Sequence, residues 1–129
     1  MPARFFDRLA ALATDVAALP ADQLPRLRKL LEAVLRDEYK QRGTSFPNLN
    51  QAIRFVCFEH ELTGRLRHQL QELRLKANLV LHESYPGTAA EVAAGFAAVA
   101  ELLEQLSGEP YEGPALPRIV LTEAEEMQA

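Results

Sequence analysis

Residues 73–82, Leu73-Arg74-Leu75-Lys76-Ala77-Asn78-Leu79-Val80-Leu81-His82, decide the fold class of this 129-residue chain. Apolar side chains recur here at three- and four-residue steps, the period of an amphipathic helix. The same period runs back through Leu62, Leu66, Leu70 and Leu73 and on to Ala77 and Leu81. It predicts one long or slightly kinked helix from Glu61 to His82, with Gly64 as its weak point. Arg74, Asn78 and His82 stand four residues apart within it, so they form a polar stripe on one face, about 12 Å long.

The flanking sequence predicts more helices. From Ala3 to Leu19, Phe5, Phe6, Leu9, Leu12, Ala13, Val16 and Leu19 keep helical spacing, with Pro2 suited to the start and Pro20 to the stop. A second helix is expected to begin near Asp22 and to tolerate Pro25 in its first turn. It would bury Leu24, Leu27, Leu30, Leu31, Val34 and Leu35 and end before Gly43. The turn formers of residues 43–48 separate it from a shorter helix, Leu49 to Phe58, whose apolar face is Leu49, Ile53 and Val56. After the loop Glu83–Gly87, Thr88 and Glu91 have capping-box spacing and open an alanine-rich helix that ends near Gly108. The expectation is an all-α, compact bundle of about five helices over residues 1–108.

Residues 109–129 read differently. Pro110, Pro114 and Pro117 with Gly113 favour an extended Pro-rich tail, a linker or the start of a following domain, and Ile119-Val120-Leu121 could add a short strand. The chain therefore reads as the N-terminal domain of something longer.

Bulk properties narrow the classes. One cysteine, Cys57, excludes an intramolecular disulfide, and its apolar neighbours favour a buried thiol over a nucleophile. No apolar run reaches the roughly 20 residues that span a bilayer, and the N-terminus lacks a signal-like pattern, so a cytoplasmic location is expected. The net charge of −4 is unevenly spread: residues 26–76 carry +5, residues 77–129 carry −8. Such asymmetry arises either from a nucleic-acid-facing surface or from oppositely charged helices packed together.

The second-helix sequence LRKLLEAVLRDEYKQRG, the segment LRLKANLVLHES and Thr88 at the start of the last helix together resemble a helical family of unknown function. Its signature is LR-x-x-GN-x-x-x-H, and it is related to the N-terminal segment of type I restriction R subunits within the HEPN-like superfamily. The resemblance covers residues 26–106. It places the family's arginine, asparagine and histidine on Arg74, Asn78 and His82, and its glycine on Ala77. It implies a helical bundle that precedes a helicase or nuclease domain. Active HEPN ribonucleases keep four to six residues between their arginine and histidine, whereas seven separate Arg74 from His82 here.

The stripe supports two readings. In a metal-independent ribonuclease, a dimeric one above all, His82 would move protons and Arg74 would stabilise the phosphorane. In a structural role, Asn78 and His82 would hydrogen-bond the loop that follows the helix and Arg74 would pair with a carboxylate. The structural role is favoured, because it explains the asparagine. His60 and His68 have no metal-ligand spacing around them and read as surface helix residues. No GxxxxGK[ST] loop is present, so no NTPase activity is expected in this segment, and neither a metal nor a cofactor is expected. Arg26, Arg28, Lys29, Arg36, Lys40, Arg65, Arg67 and Lys76 are the residues expected to meet phosphates, without exposed aromatics to stack on bases. The function expected is a non-catalytic accessory domain of a helicase- or restriction-type protein. It would dock a downstream domain, with DNA or RNA contact and homodimerisation as further possibilities and no membrane partner.

Overall fold

The computed structural model describes residues 2–118. After a single 3-10 turn, Pro2–Arg4, five helices follow: α1 (Phe5–Thr14), α2 (Pro20–Gln41), α3 (Leu49–Glu59), α4 (Gly64–Glu83) and α5 (Ala89–Ser107). No strand occurs among the described residues, so the all-α bundle is as expected. The segment Ile119-Val120-Leu121, read as a possible strand, lies outside them.

Several boundaries differ from the sequence reading. The first helix stops at Thr14 rather than Leu19, and Val16 and Leu19 are left 93% and 65% exposed. Pro20 does not end α1; it is the first residue of α2, where the missing N–H costs nothing. Leu19 precedes it as the cap residue, its N–H donating to Asp22 Oδ2 at 3.3 Å. Pro25 therefore falls in the second turn. Similarly, α4 starts at Gly64 instead of Glu61, because the Thr63 hydroxyl accepts the Leu66 N–H at 3.1 Å and Glu61 bends the chain at φ +53°. Gly64 is thus a first-turn residue and not an interior weak point.

Helices α2, α4 and α5 form the centre; α1 packs on α2 and α5, and α3 on α2 and α4. Leu27, Leu70, Phe96, Leu102 and Leu103 are among the side chains with no exposure at all. The three central helices meet at Gly95, where a Cβ would sit 3.1 Å from both Leu27 Cδ1 and Leu73 Cδ1. The alanine-rich helix is central as expected, although Ala89, Ala90, Ala94 and Ala97 face outward. Burial along α4 stops at Ala77, and Leu81, expected in the core, is 53% exposed.

The described part of the tail folds back on the bundle. The Tyr111 N–H donates to Glu104 Oε2 at 2.8 Å, the Tyr111 ring meets Phe6 at 5.9 Å, and Leu116 packs against the core.

Candidate functional site

The stripe of α4 is longer than the sequence reading made it. Arg67, Gln71, Arg74, Asn78 and His82 follow at four- and three-residue steps along one face, beside the core residues Leu66, Leu70, Leu73 and Ala77. Helix α3 lies along its first half. Gln71 Nε2 donates to Asn50 Oδ1 at 2.9 Å and to the Asn50 carbonyl at 3.3 Å, and Gln71 Oε1 accepts Arg74 Nε–H at 2.8 Å. Gln71 thus draws the Arg74 guanidinium toward α3 and away from His82. One chain does not bring Arg74 and His82 to one phosphate, since the helix rise already separates them by about 12 Å.

Arg28 of α2 stands near enough to Arg74 for the two like charges to interact. Burial first, and then Arg28, hold the Arg74 guanidinium below its ordinary value, though an arginine stays charged throughout the accessible pH range. Neither arginine has a carboxylate within 4 Å among the described residues, and the Arg28 Nε is buried without an acceptor. Two half-buried cations near one another, with no carboxylate within 4 Å among the described residues, form an arrangement that an anion would stabilise.

Asn78 and His82 do not hold the bend after α4. Among the described residues neither makes a side-chain hydrogen bond; with Leu75 and Leu79 they line an open depression on the outer face. The bend is held by Glu91 instead. Its carboxylate accepts the Thr88 N–H and the Tyr85 hydroxyl, both at 2.9 Å, and faces Lys76 Nζ at 3.4 Å. Ser84, at φ +55°, and Gly87, at φ +73°, turn the chain.

Half of the basic residues expected to meet phosphates are neutralised within the fold. Arg26 pairs with Asp15 at 2.9 Å, Arg36 with Glu32 at 3.3 Å, Arg65 with Glu101 at 2.9 Å and Lys76 with Glu91 at 3.4 Å. Arg28, Lys29, Lys40 and Arg67 have no such partner among the described residues. Lys29 lines a separate groove between α1 and α2 with Arg8 and Arg26, and Lys40 is exposed near the end of α2.

Two residues of the site escaped the sequence reading. Arg54 and Phe58 are on the side of α3 opposite Ile53 and Val56, and with Gln51, Phe55 and Arg67 they line a shallow depression. Phe58 is 81% exposed, contrary to the expectation that the basic residues have no exposed aromatic among them. Its four-residue spacing from Arg54, out of phase with Leu49, Ile53 and Val56, was the available signal. His60, read as a surface residue, places Nε2 2.7 Å from Oε1 of Glu38, whose side chain is only 9% exposed.

Cys57 is buried, and burial pushes its thiol up against the opposing effect of Arg67. No group of three potential metal ligands occurs among the described residues, and no helix is long and apolar enough to cross a membrane. In comparisons with protein-family models, curated proteins and solved structures, nothing matches this chain.

Proposed function

We propose that this domain is a non-catalytic accessory module of a nucleic-acid-processing protein, resting on a phosphate backbone through the face shared by α3 and α4. The observation that carries this reading is a group of arginines left without ion pairs. Arg28, Arg54, Arg67 and Arg74 gather on and beside that face without carboxylate partners among the described residues, in a chain whose net charge is −4. Cations left uncompensated in an acidic protein retain their full attraction for phosphates, whereas ion-paired ones do not. The resemblance to the restriction-subunit family, which centres on the Arg74, Asn78 and His82 stripe, supports the same setting beside a helicase or nuclease domain.

Contacts of this kind follow counter-ion release. Four phosphates neutralised give a slope of log K against log salt of about −2.8 to −3.6, a loss of roughly 50- to 150-fold between 50 and 200 mM salt. Titration of labelled DNA and RNA at those two salt concentrations tests this. Arg28→Gln, Arg54→Gln, Arg67→Gln and Arg74→Gln should each flatten the slope by about one phosphate, while Arg65→Gln, already paired with Glu101, should leave it unchanged. Binding that is absent, or insensitive to salt, overturns the reading.

A further inference from the structure

Phe58 stands 81% exposed on the outer side of α3, with Arg54 one turn before it and Arg67 across on α4. An isolated exposed aromatic is common on protein surfaces and explains nothing by itself. Its setting is what distinguishes this one. A shallow depression lies on each side of the ring: Gln51, Arg54, Phe55 and Arg67 line one, and Cys57, Glu59, Leu62 and Arg67 are among those lining the other. The acids nearby sit on the second side only. Glu59 is engaged by Arg42 at 3.8 Å, and Glu61 borders the same depression. Among the described residues the first side has no carboxylate in its lining, which makes the Gln51 and Arg54 side the favourable approach for a polyanion.

An aromatic face between unpaired guanidiniums is the combination that holds unpaired bases, the ring stacking on a base while the cations take the flanking phosphates. In a duplex the bases are already stacked on each other and offer Phe58 no face. We propose that Phe58 is the base-stacking residue of a single-strand-selective nucleic-acid site, with Arg54 and Arg67 as its phosphate contacts. This rests on the phosphate-binding reading above and adds a choice of strand to it.

The test is fluorescence anisotropy of the full chain with single-stranded DNA, single-stranded RNA and a duplex of the same composition. Single strands are expected to bind about tenfold or more tightly than the duplex. Phe58→Ala should weaken single-strand binding by roughly 5- to 150-fold and leave duplex binding and melting temperature unchanged. Phe58→Trp should preserve affinity and, because the chain contains no other tryptophan, report stacking as quenching of its emission on adding a single strand. Equal salt-dependent affinity for both forms, or equal losses in Phe58→Ala, overturns the single-strand proposal and leaves the phosphate reading standing. Absence of salt-dependent binding to either form ends both. If sedimentation shows a dimer that Phe58→Ala converts to a monomer, the ring serves self-association and the proposal falls.

Discussion

Glu91→Ala is the substitution that best separates the two accounts of the bend after α4. In the structure the Glu91 carboxylate, 19% exposed, accepts from Thr88 and Tyr85 and faces Lys76. Thr88 reciprocates by accepting the Glu91 N–H at 3.1 Å, so the two residues close a capping box. Losing the carboxylate half of that cap costs about 1 kcal/mol. With the remaining bonds to a half-buried charged acceptor the total reaches about 2 kcal/mol. For a chain of this size that lowers the melting temperature by roughly 8 °C. Burial pushes the Glu91 carboxyl up, but the bonds from Tyr85, Thr88 and Lys76 outweigh it and leave the group below its ordinary value. A depressed folded-state pKa means stability that is present above the unfolded value, about 4.3, and lost as pH falls through the folded one. Thermal unfolding followed by circular dichroism should therefore show a large gap between wild type and Glu91→Ala at neutral pH that narrows in acid. Glu91→Gln should lie between them. Asn78→Ala and His82→Ala, which remove no hydrogen bond here, should each cost less than about 0.5 kcal/mol. If either costs as much as Glu91→Ala, or if the gap does not change with pH, the assignment of the bend to Glu91 is wrong.

Gly87→Ala should cost about 2 kcal/mol in urea unfolding, because it combines φ +73° with a Cβ placed 2.8 Å from Leu24 Cδ1 and 3.2 Å from Pro20 Cβ. Gly43→Ala, at φ +69° but in open space, should cost about half as much, and equal values would show that the loop does not press on the start of α2. Cys57, 3% exposed and with its thiol pushed up by burial, should react with a thiol reagent only after denaturation. Rapid stoichiometric labelling in native buffer would contradict its placement.

How much of this was legible in the sequence depended on whether the deciding interaction was local. The Thr88 and Glu91 cap, the Gly43 stop and the apolar stripe of α2 are each settled within a few residues, and they were read correctly. The end of α1 was not, since Val16 and Leu19 continue the apolar period into a stretch where no neighbouring helix covers them. Pro20 fits a helix stop and a helix start equally well, and only the Leu19 and Asp22 contact decides between them. Arg74, Asn78 and His82 do share a face, but spacing alone does not tell whether such a face meets a loop, a neighbour or water. Phe58 is the opposite case: its phase against Ile53 and Val56 points outward, and the expectation of no exposed aromatic beside the basic residues passes over that local signal. The proximity of Arg28 to Arg74 lay out of reach, because it arises from two helices whose relative placement no single segment encodes.

That proximity carries an energetic debt in the free protein. Repulsion between the two guanidiniums, and the buried Arg28 Nε without an acceptor, weigh on the folded state and are absent once the chain unfolds. An anion lodged there relieves both at once, so its free energy of association reappears as resistance to heat. An anion bound at this spot would then register in melting alone, with no label on protein or ligand, and the domain would serve as its own gauge.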